Sequence, residues 1–195
     1  YDWDRMRFTL DDDYAEAVLV AFERFYENGW IYRGTRMINW CPSCRSVISD
    51  LETDERVLQG YLWHIRYPGV DGTQDVIVAT TRPETLLGDS GVAVHPTDVR
   101  WQSAVGKEVL LPLMNRKIPI VSDEHADPEM GSGAVKVTPA HDPNDYEIGK
   151  RHNLPEITVI GYDAFMTPSA GEFSGQDRFE CRDKVVEALK KEGFL

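Results

Sequence analysis

Apolar positions near the start of the chain recur every three to four residues. Tyr14, Val18, Ala21, Phe22 and Phe25 fall on one stripe of a helix. The spacing predicts a helix over 9–29, with Thr9 as N-cap, Asp11, Asp12 and Asp13 at the positive end of the dipole, and Gly29 as the stop. A second helix is predicted over 182–192, with Val185, Val186 and Leu189 inward and Gly193 after it. Between these helices the period drops to two. Leu62, His64 and Arg66 alternate with Trp63, Ile65 and Tyr67, and short apolar runs at 76–79, 92–94, 118–121, 134–138 and 157–160 read as strands. Pro68-Gly69, Asp71-Gly72 and Gly131-Ser132-Gly133 supply turns between them. One short helix interrupts the series. Asp142-Pro143-Asn144-Asp145 offers an aspartate N-cap, proline at the first helical position and an acid at the third, and the helix runs through Tyr146 and Ile148 towards Asn153. The expected fold is therefore mainly β: a compact, barrel-like core flanked by α-helices. Residues 1–50 read as a helical connecting segment containing a Cys-x-x-Cys, and 51–195 as a β-rich domain closed by a C-terminal helix.

Composition narrows this picture. The chain has 195 residues, about one domain on a prior of roughly 150 residues each. Its apolar fraction of 42% is that of a folded globule. No run approaches about 18 apolar residues, which argues against a transmembrane helix. Acidic residues outnumber basic ones 33 to 21, for a net charge of −12, and such a surface repels a nucleic-acid backbone. Duplex DNA is not an expected partner, whereas contact with a few nucleotides remains open. Three cysteines cannot pair fully, so a reducing, cytoplasmic setting is expected. The chain starts at Tyr1 rather than Met, and it reads as a piece of something larger.

Several motifs carry candidate chemistry. Gly88-Asp89-Ser90-Gly91 has the spelling of a serine-protease nucleophile segment, with His141 and Asp142 as imaginable partners. The spelling breaks at Val92, and neighbouring His and Asp on one backbone usually point apart, so a serine hydrolase is disfavoured. Cys41-Pro42-Ser43-Cys44 has the spacing of half a zinc knuckle, but Cys181 stands alone and no suitably spaced His pair completes the set. Zinc at Cys41 and Cys44 is therefore expected only if residues outside this chain complete the site; otherwise these are free thiols. Two longer segments say more. Ala79-Thr80-Thr81-Arg82-Pro83-Glu84-Thr85 breaks a strand at proline and displays hydroxyls and a guanidinium. In the second, 131–146, Lys136 and Thr138 share one strand face and point towards the start of the helix carrying Asp142 and Asp145. Read conservatively, Asp142 caps, Asp145 complements the helix dipole and Lys136 is a solvated strand lysine.

These two segments resemble the threonine-rich peptide and the aspartate-bearing segment of the editing (connective polypeptide 1) domain of class I aminoacyl-tRNA synthetases. The likeness is closest to the valyl branch, because the isoleucyl enzymes typically lack Arg-Pro-Glu as at 82–84 and the leucyl ones generally lack a Lys136 and Thr138. The flanks agree: Asp2-Trp3, Phe8-Thr9, Tyr32-Arg33-Gly34, Asn39-Trp40-Cys41-Pro42 and Ser49-Asp50-Leu51-Glu52. The resemblance implies post-transfer hydrolysis of threonyl-tRNA(Val). A hydrophobic synthetic site rejects an isostere bearing an added hydroxyl by only about a hundredfold, a figure established for this very problem rather than obtained from this sequence. An editing site must do the reverse and accept the hydroxyl.

By the same resemblance, Lys136, Thr138 and Asp145 supply that polarity, and Asp145 anchors the substrate ammonium. Thr80, Thr81 and Arg82 face the terminal adenosine. Met130 stands where relatives often carry an aromatic ring that stacks on the adenine. The catalytic candidates are Asp145, Asp142 and Lys136, while Asp142, His141 and the ribose hydroxyl all remain open as the group that orients the attacking water. No cofactor is expected for editing. The implied partners are the 3′ end of aminoacylated tRNA(Val), its threonine moiety and the remainder of the synthetase, with no membrane and no DNA. The alternatives are an isoleucyl or leucyl editing domain, a catalytically idle aminoacyl-adenosine-binding module, and a structural zinc-containing spacer.

Overall fold

A computed structural model describes residues 1–54 and 56–195. The chain divides into two compact units, Tyr1–Arg36 and Met37–Leu195. The first is built on α1 (Asp12–Glu27). Its N-cap is Asp11 rather than Thr9. The Asp11 carboxylate accepts the Phe8 N–H at 3.0 Å and so fixes the entry of the chain, while Asp12 and Asp13 occupy the first turn. Gly29, at φ 72°, lets the chain turn back so that Trp30 packs on Phe25 at 5.6 Å between ring centroids.

The second unit begins with a small antiparallel hairpin, β1 (Asn39–Cys41) and β2 (Ser46–Ile48), which holds the Cys-x-x-Cys at its turn. Next come β3 (Trp63–Tyr67) and β4 (Val76–Thr80), an antiparallel pair in which Ile65, Tyr67, Val76 and Val78 are all fully buried. A 3-10 turn over Pro83–Gly88 leads into β5 (Gly91–Val94), and every residue of both is buried. β5 is the hub of a four-stranded sheet of order β6-β7-β5-β8. It pairs in parallel with β7 (Arg116–Ser122) and antiparallel with β8 (Ala134–Val137). β6 (Glu108–Leu111) pairs antiparallel with β7 on the outer side. The polar run at 142–153 folds as predicted into α2 (Pro143–His152), ending at Asn153 in the left-handed conformation. α3 (Arg178–Lys191) starts four residues earlier than the apolar pattern suggests, because Asp177 caps it by accepting the N–H groups of Phe179 and Glu180.

The fold is mixed rather than mainly β, with 30% of the chain helical and 21% in strands. Nor does the barrel close. The β3-β4 pair meets the larger sheet at one side through a Gly69–Val109 bridge and the Leu110 N–H to Pro68 C=O bond of 2.8 Å. On the other side β4 runs near β8, but the two are not ladder partners; Ser132 Oγ donates to the Ile77 carbonyl there instead. Residues 157–160 form no strand, and only Ile160 makes a bridge, to Met166.

Strand alternation sorts the side chains of the sheet. Val92 and Val94 join a main core with Ile65, Tyr67, Leu86, Leu87, Val185 and Leu189, whereas Ala93 and Val137 join a small cluster with Ile148 of α2. α3 packs on the 3-10 turn, and there Arg182 grips Glu84 with two bonds, Nε to Oε2 at 2.8 Å and Nη2 to Oε1 at 2.7 Å. Glu84 is 1% exposed, so its charge depends on that fork and on Arg82 Nε at 3.8 Å. Removing one partner of such a pair strands the other charge. We expect Arg182→Met to lower unfolding free energy by about 3 kcal/mol, near the low end of the usual range because Arg82 remains. A urea midpoint equal to the parent's would contradict this.

Candidate functional site

The turn that follows β4 is stiffened from within. Thr80 Oγ1 accepts the Arg82 N–H at 3.1 Å, and Thr85 Oγ1 donates to the Arg82 carbonyl at 2.9 Å. Thr81 and Arg82 are exposed, and Arg82 Nη1 reaches across to the His141 carbonyl at 2.9 Å. The first segment is thereby tied to the loop that opens α2. That loop is set by Asp142, whose Oδ1 accepts from Asn144 N at 2.8 Å and Asp145 N at 3.2 Å. Capping aligns the first turn so that Asp145 Oδ2 accepts the backbone N–H of Thr138 at 2.9 Å.

Lys136 and Thr138 do share a face, but it is not the face towards α2. Val137 packs on α2, so Lys136 turns with Ala134 to the side of the main core. There both side chains converge on Asp89, which has no exposed surface. Asp89 Oδ1 accepts from Lys136 Nζ at 3.3 Å and from the Thr138 hydroxyl, and Oδ2 accepts from Tyr67 OH at 2.6 Å. Lys136 Nζ also donates to Thr138 Oγ1. Asp145 meets Thr138 through the backbone, yet it lies within electrostatic reach of Lys136, Asp142 and Asp89. The conservative alternative of a solvated strand lysine fails: Lys136 is 8% exposed.

The donor count shows which hydrogen-bonding groups of this cluster are already committed. An ammonium only donates and a carboxylate only accepts, so the single Thr138 proton lies towards Asp89. Of the three Lys136 N–H bonds, two are used and one is left over; one Thr138 lone pair is left over as well. By count the cluster thus keeps one donor and one acceptor uncommitted, on side chains that are nearly buried. A hydroxyl matches both and a methyl matches neither.

Met130 is 73% exposed on the 123–133 loop, which lies along β4: Ser132 bonds to Ile77, and a Cβ on Gly131 would stand 3.7 Å from that of Ala79. Gly133 sits at φ 76°, a left-handed conformation that favours glycine, and a Cβ there would displace the Arg100 and Asp98 side-chain ends. A groove lined by Gly161, Phe165, Met166 and Gly175 includes none of these residues.

Sequence reasoning missed Asp89 and Tyr67. The signal was an aspartate set between apolar runs, at 86–87 and 92–94, where a charge has to find partners. His141 takes a role different from a general base. Its Nε2 accepts the Val159 and Ile160 N–H groups at 2.9 and 3.3 Å, which pins the 157–160 segment and leaves Nδ1 protonated. Ser90 Oγ is buried without a partner among the described residues, so no Ser–His relay forms. Cys41 and Cys44 flank the β1-β2 turn, where the Cys44 N–H donates to Cys41 Sγ at 3.4 Å, and Cys181 is buried on α3. Among the described residues no three His, Cys, Asp or Glu side chains cluster to hold a metal, and no helix is long and apolar enough to cross a membrane.

Residues 1–169 match the family model described as tRNA synthetases class I (I, L, M and V), and the chain belongs to that family. Within it, the chain is similar to valine--tRNA ligases. It is 55% identical over 194 residues to that of Synechocystis sp. (strain ATCC 27184 / PCC 6803 / Kazusa), covering 100% of this chain and 21% of the relative. It is 56% identical over 194 residues to that of Dehalococcoides mccartyi (strain ATCC BAA-2266 / KCTC 15142 / 195), covering 100% and 22%. The chain spans about a fifth of the length of the curated relatives it matches. Its fold is similar to that of a solved chain described as GlLeuRS-CP1, with a TM-score of 0.57 at 15% identity over 70% of this chain and 97% of the other.

Electrostatics yield a prediction that needs no substrate. Burial, reinforced by Asp142 and Asp89 against the pull of Lys136 and the Thr138 N–H, raises the Asp145 carboxyl to about 6. Burial, helped by Arg82 and Lys136, lowers the His141 imidazole to about 4. Between about 4 and 6 the folded state holds a proton on Asp145 that the unfolded chain has released, so this group costs stability as pH rises. His141 acts oppositely: the unfolded chain is protonated up to its ordinary 6.5, so stability rises with pH from about 4 to 6.5. The two slopes oppose each other in the parent. Asp145→Asn removes one of them, and its stability should climb more steeply than the parent's between pH 4 and 6.5. Parallel stability curves would refute the assignment.

Proposed function

We propose that this chain is the editing domain of a valine--tRNA ligase and hydrolyses threonyl-tRNA(Val). The observation that carries the reading is the leftover donor on Lys136 beside the leftover acceptor on Thr138, in a nearly buried cluster next to Asp145. Threonine and valine have nearly the same shape, so discrimination has to rest on hydrogen bonds. A valine methyl leaves both groups unpaired, at a cost of about 1–3 kcal/mol each. Membership of the class I family and the CP1-like fold support the same conclusion.

In this reading the Asp145 carboxylate takes the ammonium of the aminoacyl group. Arg82 and the Thr80–Thr81 backbone face the terminal adenosine, with Met130 packing at its edge. The reaction is attack of water on the ester carbonyl carbon. The carbon–oxygen bond to the ribose breaks, threonine leaves as the free acid, and the proton returns to the ribose hydroxyl. No enzyme nucleophile is required. With His141 Nε2 committed to backbone amides, Asp142 Oδ2 and the ribose hydroxyl remain as the groups that orient the water. N–H groups at the start of α2 stabilise charge developing on the carbonyl oxygen. The net charge of −12 fits a domain that meets only the flexible 3′ end while basic surfaces elsewhere in the synthetase hold the tRNA.

The test is the ratio of deacylation rates for threonyl- and valyl-tRNA(Val) in the enzyme carrying this chain. Thr138→Val keeps volume but deletes the acceptor, and the ratio should fall by about tenfold for each ~1.4 kcal/mol lost. Arg82→Ala should weaken both substrates alike, because it faces the nucleotide they share. A Thr138→Val ratio equal to the parent's would sink the reading. A catalytically idle module would instead bind a threonyl-adenosine analogue without releasing threonine.

Zinc at the β1-β2 turn requires two further ligands, since a tetrahedral ion held by Cys41 and Cys44 leaves half its shell to be filled. Dialysis of this chain against a chelator should therefore strip added zinc. Stoichiometric retention would overturn that expectation.

A further inference from the structure

The selectivity just proposed depends on where one proton sits, and that proton is governed from beneath. Thr138 acts as an acceptor towards an incoming hydroxyl only while its own hydrogen is committed to Asp89 Oδ1. Asp89 must therefore keep its carboxylate plane oriented so that one oxygen stays turned to Thr138 and Lys136. Tyr67 does this from β3 by donating to Oδ2 at 2.6 Å, with both residues at 0% exposure. Burial beside the Asp89 charge raises the Tyr67 phenol well above its ordinary value, so it remains a donor throughout the working range of pH. From the other side Arg116 Nη2 donates to the carbonyls of Leu87 and Asp89 at 3.1 and 2.8 Å and holds the main chain still.

We propose that Tyr67, acting through Asp89, is a positioning residue for specificity: it fixes the proton order of the Thr138–Lys136 pair so that the site presents one donor and one acceptor to a substrate hydroxyl. Tyr67 touches no substrate. Its hydroxyl is one residue behind the reader, on a different strand, and nothing about the packing of its ring requires the oxygen. The inference rests on the editing reading above.

Tyr67→Phe tests it, since the ring stays in the core and only the donor is lost. In the enzyme carrying this chain, kcat/KM for deacylation is measured with threonyl- and valyl-tRNA(Val). Freed at Oδ2, the carboxylate can rotate and release the Thr138 proton towards the substrate, so the threonine-to-valine ratio should fall roughly five- to tenfold, the worth of one buried hydrogen bond. A purely structural role would reduce the active fraction and lower both rates together, leaving the ratio unchanged; that result overturns the proposal. Because the ratio does not depend on the amount folded, partial destabilisation does not obscure it. Asp89→Asn is the second variant: it removes the charge and places an amide donor against Lys136 or Tyr67, and the ratio should fall at least as far. A parent ratio near one would refute the editing reading itself. A selective parent with an unchanged Tyr67→Phe ratio would refute only this inference.

Discussion

A carboxylate with no exposed surface needs hydrogen-bond donors, and meeting that need at Asp89 draws three strands together. Tyr67 comes from β3 and Lys136 from β8 with Thr138 just beyond it, while Asp89 itself stands at the entrance to β5, where Arg116 of β7 holds its main-chain carbonyl. Burial raises the Asp89 carboxyl above its ordinary value, and the Lys136 ammonium with the Thr138 and Tyr67 hydroxyls offsets only part of that rise. Each donor lost would leave part of a buried charge unpaired, so the members of the network strengthen one another. The strand pair and the larger sheet, which never join into a closed ladder, are held in a common frame by it.

This explains how much of the molecule was legible beforehand. The helix at 143–152 could be read because its start is written in local chemistry: Asp142 caps, Pro143 fits the first position, Asn153 ends it. β3, β4, β5, β7 and β8 could be read because burial on one or both faces leaves a pattern. β6 could not, since Glu108–Leu111 is short and its two inward residues, Val109 and Leu111, gain meaning only from pairing with β7. The 157–160 run looked like a strand for its apolar content, but an imidazole occupies the place a ladder would take. Among the site residues, the shared face of Lys136 and Thr138 followed from strand geometry. The direction of that face did not follow, because it depends on which side α2 chose to cover.

Two titratable groups near Thr138 are displaced in opposite directions by the same cause. Burial disfavours charge, so it raises Asp145 and lowers His141. The outcome is a neutral imidazole that serves as a backbone acceptor and a carboxylate that gains from the arrival of a cation. An aminoacyl ammonium would supply that cation, and it would do so at the point where the chain is least able to shed charge into water.

The fork between Arg182 and Glu84 joins residues 98 positions apart. It ties the turn bearing Thr80, Thr81 and Arg82 to a helix that is synthesised well after it. Translation is vectorial, so Glu84 leaves the ribosome long before its partner exists. Until Arg182 emerges, the buried carboxylate has only Arg82 nearby, and the turn has no outer support. The polar cluster on Asp89 can assemble once β8 is made, but the turn over Pro83–Gly88 must wait for α3. Assembly is therefore ordered in time by the position of one arginine, with the Asp89 cluster in place before the turn bearing Arg82 is braced.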